Sequence, residues 1–280
     1  AFQLRRSEFV ALGGFGQIPQ NFFVLASESI EIFDLEARNR SRFSVVHRKT
    51  LGLCGAILVS FAELLVLSVH LLKQNCKTII IACNTASSLA SSFLRSFLPD
   101  NLPLIDVILP VAKFLQSSNY EKVGVIATKG TVGSGIYSKR INELSPKIEV
   151  SSLATPLLAP MIEEAFFDNN ISHTVINEYL SNQKLEKIQA LILGCTHYPL
   201  IETEISQFYK STNQNVFVVN SAKVVANEVQ RILKSKKLLS KSLSGEHHFY
   251  VSDFTDSFEK STKIFFGDEL RLEKQNIWGS

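Results

Sequence analysis

Downstream of residue 75 the sequence alternates short apolar runs with longer amphipathic stretches, and this rhythm restricts the fold more than any other feature. The runs "KTIIIAC", "LIDVIL", "EKVGVIAT", "KIEVSSLA", "IQALILG" and "NVFVVN" are rich in Val, Ile and Leu and too short for buried helices, so they read as strands. Helical periodicity fills the stretches between them: 85–97, 110–118 opened by Pro110, 131–144, 157–168, 171–183, 199–209 and 221–234. A strand can run parallel to its predecessor only through a long crossover, usually a helix, so the alternation predicts an α/β fold with mainly parallel sheets. The tail adds a strand in "HHFYVSDF", a helix in "DSFEKSTKIFF" and a last strand in "RLEKQNI", while the lysine-rich "KSKKLLSKS" reads as a solvated loop.

At 280 residues, 45% apolar and 20% charged, the chain has the composition of a globular protein with one large or two ordinary domains. A net charge of +3, with basic residues scattered among acids and without the stripe that phosphate binding needs, is too small to imply a nucleic-acid partner, and no direct nucleic-acid binding is expected. The opening "AFQLRRSEFV" does not read as a secretory leader, so the four cysteines, Cys54, Cys76, Cys83 and Cys195, are expected as thiols in a reducing compartment. Residues 51–72, "LGLCGAILVSFAELLVLSVHLL", are apolar enough to be a membrane-span candidate. Glu63 and His70 fall inside that run, where ionisable groups are costly, so we expect it to pack as a helix in the first half of the protein, without a membrane partner.

Two of the strand-like runs end on cysteine: "KTIIIACNTASS" on Cys83 and "QALILGCTHYPL" on Cys195. In open parallel sheets the carboxyl ends of the strands face the ligand crevice. Backbone amides at a helix start favour an anion there, whether a thiolate or a bound carboxylate. Two such thiols could flank one small anionic molecule, one from each half of a two-lobed protein. Other readings remain open. A cysteine at a strand end can be a small buried hydrophobe. A Cys–His hydrolase using His197 as base leaves the second cysteine without a role. Metal ligation is disfavoured, since neither C-x-x-C nor H-x-x-x-H spacing accompanies the pair.

"ACNTAS" together with "GCTHYPL" resembles the two cysteine signatures of bacterial glutamate racemases, within the wider aspartate/glutamate racemase family. The His after the second "GCT" favours the glutamate branch, and "VILP", "IATKGT", "LLAPMIEE" and "FYVSD" extend the likeness over roughly residues 62–276. The resemblance implies two similar α/β lobes with the active site between them, expected at 1–106 plus 217–280 and at 107–216. It further implies a cytoplasmic homodimer that interconverts L- and D-glutamate without cofactor or metal, supplying D-glutamate for peptidoglycan and so for cell-wall biogenesis and cell shape. Carried over residue by residue, it makes Cys83 and Cys195 the acid/base pair and His197 the assistant of Cys195. Asn84, Thr85 and Thr196 become substrate-carboxylate ligands, Thr128 and Thr131 approach the substrate from the second lobe, and Glu163 is an acid near the site. The plainer alternatives are a helix cap for His197, turn residues for the threonines and a surface charge for Glu163.

The N-terminal quarter departs from the family pattern. Glutamate racemases carry "FDSG-x-GG" near their start, whose Asp assists the first cysteine, and later a "P-Y-G" loop. Here the echo is "IEIFDLEARNRS", which makes Asp34 the candidate helper of Cys83, while "LGGFGQ" at 12–17 reads as an ordinary turn. The departure keeps a second function in view: a catalytically impaired family member acting as a binding or regulatory protein.

Overall fold

The computed structural model describes residues 22–24, 29–36, 40–47, 64–73, 76–167, 169–239, 248–251 and 272–274. In chain order it begins with strands β1 (Phe22–Val24), β2 (Ser29–Glu36) and β3 (Arg40–His47), helix α1 (64–73), β4 (Thr78–Ile81), α2 (Asn84–Phe97), β5 (Leu104–Asp106) and α3 (Leu109–Gln116). There follow β6 (Lys122–Ala127), α4 (Lys129–Gly133), α5 (Ile136–Leu144), β7 (Glu149–Ala154), α6 (Leu158–Glu163), α7 (Asn170–Leu180), a 3-10 turn (Gln183–Leu185) and β8 (Ala190–Gly194). A second 3-10 turn (Tyr198–Ile201) leads into α8 (Glu202–Ser211), then β9 (Phe217–Val219), α9 (Ser221–Ser235), β10 (His248–Val251) and β11 (Leu272–Lys274). The chain divides into two compact units, one of residues 1–107 plus 226–280 and the other of residues 108–225.

The first unit holds two sheets. One is the parallel trio β1-β4-β5. The other, β11-β10-β2-β3, is largely antiparallel and takes in residues 29–47, ahead of the alternation from which mainly parallel sheets were expected. The antiparallel pairing has a local cause: three residues join β2 to β3, enough for a hairpin and too few for a parallel crossover. The core of this unit gathers on α1, whose Leu64, Leu67 and Leu71 recur at helical spacing and pack with Ile79 and Ile81 of β4 and Ala86, Ala90 and Leu94 of α2. Full burial of each such leucine or isoleucine contributes about 1.5–3 kcal/mol. Small residues on the buried face of α2, Ala86, Ser87, Ala90 and Ser91, let this helix lie close to the sheet. Of the apolar run 51–72, residues 64–72 lie on the helix whose leucine face packs into this core, with Val66 and Val69 exposed, and 51–63, with Cys54 and Glu63, lie outside the described residues. Among the described residues no helix is long and apolar enough to cross a membrane. The sequence-based helix in "DSFEKSTKIFF" and the turn at 12–17 also fall outside the described residues.

The second unit is one parallel sheet in the order β7-β6-β8-β9. It closes at Val225 rather than at 216, because β9 is hydrogen-bonded to β8 and Phe217 N donates to Gln189 O at 3.0 Å. The chain leaves β6 toward β7 on one side, and leaves β8 toward β9 on the other. The carboxyl ends of β6 and β8 thus flank a topological switch point, where neighbouring loops part and a crevice opens. Two helices are shorter than periodicity suggests. The stretch 131–144 breaks into α4 and α5 at Gly135, whose left-handed φ of 64° interrupts the helical path. The stretch 157–168 ends early, at Glu163, in a Schellman turn: Phe166 N donates to Met161 O at 2.8 Å across Ala165, which takes a φ of 55°.

Candidate active site

The five residues of β8 are all buried, so its apolar run is the innermost strand that the sequence suggested, and the strand delivers Cys195 to the switch point. Gly194 makes that delivery possible. A Cβ there would meet Ile126 O at 2.9 Å, Ala127 Cβ at 3.0 Å and Tyr137 Cε2 at 3.2 Å, so only glycine lets β8 approach β6 this closely. Register then pairs Gly194 with Ala127, which sets Cys195 and Thr128 on the same edge as the next residues of adjacent strands.

Cys195 is 7% exposed, and its Sγ lies 3.6 Å from Nδ1 of His197. On the far side of the ring, Nε2 lies 3.3 Å from Oε1 of Glu163, at the end of α6. Burial pushes the His197 pKa down from 6.5 to about 4, so the imidazole is neutral near pH 7. A neutral ring carries one N–H, and a carboxylate can only accept. The proton therefore sits on Nε2, donating to Glu163, and leaves Nδ1 as an acceptor turned to the thiol. The chain Glu163–His197–Cys195 thus offers the thiol a hydrogen-bond acceptor whose direction the carboxylate fixes. His197, expected as the assistant of Cys195, makes no side-chain cap bond to the 3-10 turn that follows it.

Thr128 caps α4, its Oγ1 accepting from Thr131 N at 3.3 Å and donating to Thr131 Oγ1 at 3.1 Å. Thr131 is 1% exposed, so this pair also has the turn-forming role that the plainer reading gave it. Thr196 is half-buried between Cys195 and His197. Sequence reasoning missed a second buried assembly on this edge, made by Tyr198 and Thr155. Tyr198 OH lies 2.7 Å from Thr155 Oγ1 and donates to Thr155 O at 3.1 Å, while Thr155 Oγ1 donates to Ala127 O at 3.3 Å. The available signal was a polar-tipped aromatic directly after "GCTH", where an apolar residue would fill the same space without needing a partner.

In the first unit, Cys83 ends β4 and occupies the N-cap of α2, with Ala86 N donating to its Sγ at 3.4 Å. Asn84 is 3% exposed and Thr85 half-buried on the first turn. Ser87 fastens this turn to the sheet: its Oγ donates to Ile81 O at 2.9 Å and accepts from Val107 N at 3.4 Å, joining the carboxyl ends of β4 and β5. Asp34 is the residue expected to assist Cys83. It lies inside β2, in register with Arg42 of β3 and His248 of β10, in the other sheet of the unit. The family echo in "IFD" falls mid-strand in an antiparallel ladder, whereas Cys83 follows a parallel strand end.

The second unit thus collects Cys195, Thr196, His197, Glu163, Thr128 and Thr131 along one sheet edge, and the first unit collects Cys83, Asn84 and Thr85 on another. The profile of the Asp/Glu/hydantoin racemase family matches residues 58–229. The glutamate racemase of Geobacter metallireducens is 36% identical over 202 residues, covering 71% of this chain and 73% of its own. That of Neisseria meningitidis serogroup C is 35% identical over 199 residues, covering 70% and 72%. Among solved structures, the Francisella tularensis glutamate racemase in complex with D-glutamate superposes with a TM-score of 0.73 at 31% identity, covering 83% of this chain and 88% of that one. The Bacillus anthracis glutamate racemase also gives 0.73, at 29% identity, with 82% and 86% covered. A profile spanning more than half the chain, relatives above 30% identity and the two cysteine-terminated strands agree: the chain belongs to the Asp/Glu/hydantoin racemase family.

Proposed function

We propose that the protein is a glutamate racemase that works by two thiols, Cys83 and Cys195. The observation that carries this reading is the Cys195–His197–Glu163 chain at the end of a buried parallel strand, matched in the first unit by Cys83 at the end of β4. Racemisation breaks the Cα–H bond on one face, leaves the electron pair delocalised toward the carboxylate, and forms a new C–H bond on the opposite face. One sulfur must begin as thiolate and the other as thiol, and the two exchange states with each turnover. For Cys195, the thiolate takes the α-proton when it is the base, and the S–H gives its proton to the α-carbon when it is the acid; His197 Nδ1 accepts a hydrogen bond from the thiol form and holds the sulfur in place. Asn84, Thr85 and Thr196 supply N–H and O–H donors to the substrate carboxylate, which disperse the charge that develops on the α-carbon, and Thr128 and Thr131 approach the substrate beside Cys195. No cofactor enters this scheme. In it, the D-glutamate formed serves peptidoglycan synthesis in the cytoplasm, and hence cell shape; the protein acts as a homodimer, which light scattering tests directly.

Circular dichroism that follows D-glutamate turning into L-glutamate tests the reading. The purified parent protein should reach racemic glutamate from either enantiomer, and Cys83→Ala and Cys195→Ala should each abolish this in both directions. Each variant can still exchange the α-proton with solvent from one face. Racemisation retained by either variant refutes the two-thiol scheme. The placement of Asp34 in the antiparallel sheet favours the second reading, a catalytically impaired relative with a binding or regulatory role. That reading requires a folded parent protein that binds glutamate without turning it over.

A further inference from the structure

Tyr198 and Thr155 are both 0% exposed, and burying two hydroxyls costs free energy unless each finds a partner. Here the partners form a directed path. Tyr198 donates to Thr155, Thr155 Oγ1 donates to Ala127 O, and Thr155 N also donates to Ala127 O at 2.9 Å. The two ends of this path lead to the two halves of the Glu163–His197 contact. Tyr198 directly follows His197, and its own N donates to Cys195 O at 3.2 Å, closing the turn that presents the ring. Thr155 O, besides receiving Tyr198 OH, accepts from Leu158 N at 3.1 Å at the start of α6, and α6 ends on Glu163. A six-residue helix is stiff, so a displacement at Leu158 is carried through to Glu163.

We propose that Tyr198 is a positioning residue: through Thr155 its hydroxyl ties the turn bearing His197 to the helix bearing Glu163 and keeps Glu163, His197 and Cys195 in line. Only the consequence for turnover rests on the reading of Cys195 as a proton-transfer thiol; the alignment itself is a property of the second unit. Without the tie, the turn and the helix lose a buried hydrogen-bonded link, and a slackening of about 1 Å takes the 3.3 Å contact between His197 and Glu163 out of hydrogen-bond range.

The test compares Tyr198→Phe, Thr155→Val, Thr155→Ser and the Tyr198→Phe/Thr155→Val double variant with the parent, each confirmed folded by circular dichroism. The first readout is the His197 ring titration by NMR, assigned through its loss in His197→Gln. The second is the rate at which iodoacetamide alkylates Cys195 at pH 7, read by peptide mass spectrometry. Tyr198→Phe should raise the His197 midpoint by about one pH unit, a tenfold change in proton affinity, and shift the Cys195 alkylation rate by about threefold or more; Thr155→Val, which removes the 2.7 Å bond to Oγ1 and leaves Tyr198 OH its 3.1 Å acceptor on Thr155 O, should shift both the same way by a smaller amount. The double variant should differ from the parent no more than the larger single change, because both remove one path. Thr155→Ser keeps the hydroxyl and should match the parent. In an active parent, Tyr198→Phe should lower kcat by about tenfold with KM within about twofold. Folded variants with the parent's His197 midpoint and Cys195 alkylation rate overturn the proposal, whatever their stability. If Tyr198→Phe does not fold, the contrast between Thr155→Val and Thr155→Ser decides in its place. A parent that turns over no glutamate refutes the racemase reading while the midpoint still decides the role of Tyr198.

Discussion

Acid should weaken the fold through His197, by an amount that its surroundings set. The ring is held neutral by burial, with a pKa of about 4 against 6.5 in the unfolded chain. Between those values the unfolded state binds a proton that the folded state refuses. Unfolding is therefore favoured as the pH falls through this window, and the stability that the neutral ring provides is fully present only above about 6.5. At ~1.4 kcal/mol per pH unit, a pKa lowered from 6.5 to about 4 amounts to about 3 kcal/mol, lost progressively between pH 6.5 and pH 4. Carboxylates elsewhere also protonate on this descent, so the parent is compared with His197→Gln, a variant of similar polarity that cannot titrate. Urea unfolding at pH 7, 6, 5 and 4, followed by circular dichroism, gives the difference between the two proteins at each pH. Relative to the variant, the parent should lose about 3 kcal/mol from pH 7 to pH 4, with most of the loss below pH 6. A difference that stays flat across the series refutes the argument, for it means that the folded protein accepts the proton as readily as the unfolded one.

Gly194→Ala places a methyl 2.9 Å from Ile126 O, a backbone atom that cannot swing aside, so we expect a loss of about 1–3 kcal/mol in urea unfolding. By displacing Cys195 it should also reduce racemisation by about tenfold or more. Ala165→Gly relieves the left-handed residue that ends α6 and should raise stability by about 0.5–1 kcal/mol, seen as a higher Tm. Since Ala165 lies two residues beyond Glu163, an unchanged Tm would mean that its φ is not a source of strain.

The strands that carry the two cysteines were legible because each is a short apolar run stopped abruptly by polar residues, a pattern that burial imposes on every central parallel strand. Partnership was less legible. Nothing in "NVFVVN" says that it adds to β8, since a run of apolar residues fits many sheet edges, and that choice moved the boundary of the second unit to Val225. The break at Gly135 was readable in "GSG", and periodicity on either side concealed it. Glu163 and His197 come from separate crossovers, so their contact is a product of strand order; the resemblance to racemases pointed to both residues, whereas the local sequence offered His197 as a base for a cysteine and gave no sign of Glu163. Asp34 poses the opposite case. Its local context echoes a family motif, while a three-residue connection to β3 commits the strand to a hairpin and sets its register opposite Arg42.

The division of the chain has a consequence for the order in which the protein is made. The second unit is continuous, so every strand of its sheet has been synthesised once the ribosome has passed Val219, and its compact body once it has passed Val225. The first unit is assembled from both ends of the chain: β2 and β3 emerge early, yet their sheet waits for β10 and β11 at 248–251 and 272–274. Domains fold as units as they emerge, at about 5–20 residues per second, so the edge of β2 stands without its second neighbour for several seconds while the Cys195 side of the molecule is already formed. Unpaired strand edges invite wrong partners. Premature termination near residue 240 would thus release chains with an intact second unit and an open sheet in the first, and chaperone demand during expression should track the first unit rather than the second.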